Sequence, residues 1–134
     1  MDNFIGTWKL ETNENFDKFL KYYKYGWLKI QAALISNIDL TLTKTAENQY
    51  NRIIDSTFMK ATETYNIDGQ YHANSENVNK KHTVVDEQLH TSANTDDIEW
   101  NEITQIINDK LVIERRWVEG GNQLTCKQIF VRAN

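Results

Sequence analysis

The chain has 134 residues, 40% of them hydrophobic and 25% charged, with a formal net charge of −4. That is the size and composition of one globular domain, here spanning 1–134. An acidic balance argues against nucleic-acid binding, which needs a clustered basic face, and no apolar run reaches the length of a membrane span.

Met1, Asp2 and Asn3 supply no basic leader segment, and strand-like alternation begins at Phe4, so no secretory signal is expected. Residues 5–11 alternate with period two and read as the first strand. The period then changes. Asn13 or Asn15 is placed to cap a helix, and Phe16, Phe19, Leu20 and Tyr23 form one apolar helical stripe. Gly26 interrupts the run, and Trp27, Ile30 and Leu34 suggest a second short helix, giving a helix-turn-helix.

From about residue 37 onward the chain reads as short strands, beginning with the alternation of 38–43. Further strands are expected over 50–54, 57–65, 83–85, 88–91, 98–107, 111–118 and 123–132, with a polar, Asn-rich stretch over 71–81. There is no proline and there are only five glycines. Asn and Asp must therefore do much of the turn work, since they tolerate left-handed backbone better than other non-glycine residues. The single cysteine, Cys126, cannot form an internal disulfide, and no Asn has the spacing of a glycosylation acceptor, so a cytoplasmic location is expected. His72, His82 and His90 lack metal-ligand spacing and read as polar surface, and no cofactor or metal is expected.

Gly6-Thr7-Trp8-Lys9-Leu10 followed by Asn15-Phe16-Asp17-Lys18-Phe19-Leu20 resembles the N-terminal signature of intracellular lipid-binding proteins, the family of fatty-acid-binding and cellular retinoid-binding proteins. The likeness continues through Ser56-Thr57-Phe58, Lys110-Leu111 and Cys126-Lys127-Gln128-Ile129-Phe130. It implies an all-β fold: a ten-stranded antiparallel up-and-down β-barrel (a β-clam) with a helix-turn-helix lid between the first two strands. It also implies one long apolar guest, a retinoid or a long-chain fatty acid, held inside and exchanged through a portal near Trp27, Leu28, Phe58 and Met59. A tail of ~16 carbons buried at ~0.8 kcal/mol per CH₂ contributes on the order of 10 kcal/mol.

The head group depends on polar residues that face the interior. Alternation along the last strand puts Cys126, Gln128 and Phe130 on one face, aligned as inward. Carboxylate binders of the family place arginine and tyrosine where this chain has Gln128 and Phe130. The other arginine position falls on Gln105, with Thr104 as the alternative. Two neutral amides suit an alcohol or carbonyl, and the last strand resembles the retinol-binding branch most.

A second reading starts from Arg115. If the last hairpin turns over 119–122, Trp117 pairs with Leu124, Arg115 with Cys126, Ile113 with Gln128, and Leu111 with Phe130. That register turns Arg115 inward, where it needs an anionic partner and suits a fatty-acid carboxylate. The expected ligand contacts are thus Gln105, Gln128, Phe130, Arg115, Ile113, Cys126, Phe16, Phe58, Trp27 and Ile54. Lys18, Lys21, Lys24 and Lys29 cluster on the helical pair, and Lys21, Lys24 and Lys29 suggest transient contact with an anionic membrane. No obligate oligomer is expected. No nucleophile elbow, phosphate loop or zinc-protease motif occurs, so no enzyme is expected. A ligand-free β-barrel interaction module is the remaining alternative.

Overall fold

In a computed structural model that describes residues 2–23, 37–57, 60–73 and 77–133, a 3₁₀ turn over Asp2–Phe4 precedes β1 (Gly6–Glu14) and the helix α1 (Phe16–Tyr22). Nine strands follow: β2 (Ile38–Ala46), β3 (Gln49–Ser56), β4 (Lys60–Asn66), β5 (His72–Ala73), β6 (Asn79–Val85), β7 (Gln88–Asn94), β8 (Glu99–Ile107), β9 (Lys110–Glu119) and β10 (Asn122–Arg132). All ladders are antiparallel, and the order β4-β3-β2-β1-β10-β9-β8-β7-β6-β5 wraps one sheet into a nearly closed barrel. The expected ten strands are all present. The second helix, Trp27, Leu28, Phe58, Met59, Lys24 and Lys29 lie outside the described residues.

The turns follow from local chemistry. Asp86 and Glu87, and likewise Asn108 and Asp109, carry positive φ at both central positions of two-residue hairpins. This is the mirror-image turn that matches strand twist, built here without glycine. Gly120 and Gly121 take the same conformation between β9 and β10. That turn sets the register expected from sequence: Trp117 opposite Leu124, Arg115 opposite Cys126, Ile113 opposite Gln128 and Leu111 opposite Phe130.

Asn15 does stand at the start of α1, but with left-handed backbone and without a capping bond. Its side-chain amide donates instead to the Thr125 carbonyl at 3.3 Å. Asn13 belongs to β1. A bulge between Leu10 and Thr12 adds one residue to β1, so Asn13 faces inward opposite Gln128 although Trp8 and Leu10 set the opposite parity.

Two apolar clusters fill the ends of the barrel. The floor joins Phe4, Trp8, Leu40, Leu111, Ile113 and Phe130, with Ile54 packed against it. Trp8 is wholly buried, and its indole N–H donates to the Phe4 carbonyl at 2.9 Å. The other cluster lies under α1, where Phe19 meets Trp100 and Trp117 edge-on, both at 5.5 Å, and Cys126, Leu124 and Phe16 complete it. Lys21 is exposed on the outer side of α1.

Candidate functional site

Between the two apolar clusters the interior carries a belt of polar and charged side chains. Arg52, Lys80, His82, Thr91, Glu102, Thr104, Arg115 and Gln128 are all buried, and Glu63 is nearly so. Each sits where strand alternation turns it inward, on β3, β4, β6, β7, β8, β9 and β10. Burying this many ions costs several kcal/mol apiece unless each finds partners, so the pairings decide what the belt does.

One side of the belt is a closed set. Arg115 Nε donates to Glu102 Oε1 at 3.1 Å and its Nη1 to Gln128 Oε1 at 2.8 Å. Gln128 passes the chain on, its amide donating to Asn13 Oδ1 at 3.1 Å. Glu102 also accepts from the Trp100 indole at 3.1 Å. The guanidinium lies over the rings of Phe16 and Phe19, 5.6 and 5.3 Å from their centroids. Burial opposes the charged form of Glu102, but Arg115 foremost, then Lys80 and Arg52, hold its carboxyl well below the usual carboxylate range. Nearby burial pushes the Cys126 thiol up, which keeps it protonated.

The other side is uneven. Glu63 accepts from Arg52 Nη2 at 2.7 Å and from Lys80 Nζ at 2.9 Å, so one carboxylate serves two cations. Burial works against its ionisation, but Arg52 and Lys80 together hold it low. Arg52 lies 4.9 Å above the Tyr65 ring, and Tyr65 stacks on His82 with centroids 4.1 Å apart. His82 Nδ1 meets the Thr91 hydroxyl at 2.8 Å, and burial pushes the imidazole down to about 4, so it is neutral at neutral pH. The Glu63–Lys80 pair and the Tyr65–His82 stack bridge β4 to β6. Among the described residues no ladder joins β4 to β5 or β6, so side chains close this seam.

The expected ligand contacts divide accordingly. Arg115 and Gln128 are in the belt, bonded to each other. Phe130, Ile113 and Ile54 belong to the floor, and Cys126 and Phe16 to the cluster under α1. Gln105 is a correction. The two-residue turn at Asn108 and Asp109 sets Glu102 opposite Arg115, Thr104 opposite Ile113, and Gln105 opposite Val112. Thr104 therefore takes the inward place, and Gln105 lies on the outer face, accepting from Gln88 at 2.8 Å. Trp27 and Phe58 are outside the described residues. Arg52, Glu63 and Lys80 were not expected. Arg52 and Glu63 share the strand parity of the buried Tyr50 and Tyr65, whereas Lys80 falls in the polar stretch 71–81, for which no strand bounds were read, beside His82, which the structure buries.

Among the described residues no group of three or more His, Cys, Asp or Glu side chains is placed to hold a metal, and no helix is long and apolar enough to cross a membrane.

Comparison with solved structures places this architecture. Lipid binding protein 8 of Caenorhabditis elegans superposes with a TM-score of 0.85 at 22% identity, over 99% of this chain and 97% of that one. Fatty-acid-binding protein 1 of Echinococcus granulosus gives 0.86 at 17% identity, over all of both chains. The fold is that of the fatty-acid-binding proteins. A Drosophila melanogaster brain fatty-acid-binding protein shares it, with a TM-score of 0.80 at 16% identity over 97% of this chain and 99% of that one. In sequence, a stretch of 51 residues is 37% identical to a fatty acid-binding protein homolog of Ascaris suum. That stretch covers 38% of this chain and spans 31% of the relative's length. No protein-family model matches the chain.

Proposed function

We propose that the chain is a cytoplasmic carrier of one long-chain lipid with a carboxylate head, a fatty acid rather than a retinoid, and not an enzyme. The observation that carries this reading is the charge of the belt. Among the described residues it holds three formal cations, Arg52, Lys80 and Arg115, against two carboxylates, Glu63 and Glu102. A buried cation left over is costly, and one lipid carboxylate supplies what is missing. The alcohol reading needs two free amides inside. Gln105 lies outside, and Gln128 is already engaged at both ends of its amide. The shared fold and the name of the Ascaris suum relative support a lipid carrier in general.

Matched titrations of delipidated protein with oleate, oleyl alcohol and retinol test the reading. Oleate is expected to bind at least about tenfold more tightly than its alcohol, because a charge-assisted bond replaces a neutral one. Equal affinities, or tighter binding of retinol, count against it.

A further inference from the structure

We infer that the lipid carboxylate docks on Arg52 and Lys80, at the side-chain-closed seam between β4 and β6, and not on Arg115. This rests on the carboxylate reading above and adds where the head group sits.

The pairings point to the seam. Arg115 is matched one to one by Glu102, with Gln128 filling a second direction and aromatic rings on its faces. Nothing there is short of negative charge. At the seam, Arg52 and Lys80 share Glu63. The surplus cation of the belt is therefore one of these two. Arg52 also carries the clearer unmet demand: its Nε is buried with no hydrogen-bond partner, and a buried donor left so costs about 1–3 kcal/mol. A void of about 10 Å³ touches Arg52, Tyr65 and Thr104, but apolar floor residues such as Phe4, Leu40 and Leu111 form most of its wall.

The seam also offers access. A cleft of about 290 Å³ reaches Glu63, Lys80 and His82 from between β4 and the β5–β6 hairpin, with Thr62, Thr64 and His72 on its walls. Other groups near the site do not compete for the anion at neutral pH. His82 is held neutral by burial and engaged by Thr91 and Tyr65. Burial keeps the Tyr65 hydroxyl protonated. Glu102, the other carboxylate of the belt, is taken by Arg115.

The test compares oleate with oleyl alcohol on the full chain and four variants. Lys80→Gln and Arg52→Gln each leave Glu63 with a single cation, so neither strands a buried charge. Each is expected to lose about tenfold or more in oleate affinity, while oleyl alcohol affinity stays within about twofold. The double variant Glu102→Gln/Arg115→Gln removes a neutral pair and is expected to keep the wild-type preference for oleate. If Arg52→Gln does not fold, Lys80→Gln and Lys80→Arg decide between them, the arginine variant retaining the preference and the glutamine variant losing it. Should the double variant lose the preference while the seam variants keep it, the seam assignment falls and the carboxylate reading stands. Wild-type protein without a preference for oleate overturns the carboxylate reading itself.

Discussion

Replacing Arg115 with Gln is expected to destabilise the protein by about 3–5 kcal/mol, the usual cost of stranding one member of a buried ion pair. Glu102 would be left almost wholly buried with the Trp100 indole as its remaining described donor. Gln128 would lose the donor that holds its carbonyl, and Phe16 and Phe19 would lose the cation beneath α1. Against a typical stability of about 5–15 kcal/mol, this is a large fraction. The double variant Glu102→Gln/Arg115→Gln is expected to recover most of the loss, since two neutral amides of similar shape replace the pair. Urea unfolding of the wild type, both single variants and the double variant measures the coupling. A double variant as unstable as the sum of its singles would show that the pair does not act as a unit.

Phe130→Ala is expected to cost a similar amount, about 3–5 kcal/mol, by a different route. Phe130 is 2% exposed and packs in the floor with Trp8, Leu111 and Ile113. Leu111 and Leu10 stand directly across from it on the flanking strands. The floor is packed, so the removed ring leaves a hole that long strands held on both sides by hydrogen-bonded neighbours cannot collapse to fill. The shift in denaturation midpoint at constant slope checks it. A loss below about 1 kcal/mol would mean that Phe130 borders open space rather than packed core.

These two residues also show what was readable in the sequence. The register of β10 with β9 followed from one visible feature, the turn with its glycine pair at 120 and 121, and every pair expected across that hairpin is present, while the inward face of β10 came from the family resemblance. Gln105 failed for a reason of the same kind. Asn108 and Asp109 form a hairpin as tight as a glycine turn, and one residue of error in loop length exchanges the two faces of a strand. Asn13 was hidden by a bulge, which leaves no mark in composition or periodicity. The seam residues were missed because the head-group search was confined to the late strands. Arg52, Glu63 and Lys80 lie on β3, β4 and β6, and a charged residue in an otherwise inward set looks like a solvated face until the barrel closes around it.

The surplus cation shared by Arg52 and Lys80 also bears on how specificity would be set. The apolar tail supplies affinity in proportion to the surface it buries, whatever its end group. On the proposed reading the belt selects the head group, since an alcohol would leave a cation unanswered and a carboxylate would answer it. Fold likeness alone does not distinguish these guests, because one barrel hosts different guests through a few interior side chains.

The most direct measurement is organic extraction of the purified, folded protein followed by mass spectrometry of what it carries. The account predicts a long-chain monocarboxylate close to one per chain. A retinoid, or folded protein that carries no lipid and takes up no oleate, would contradict it.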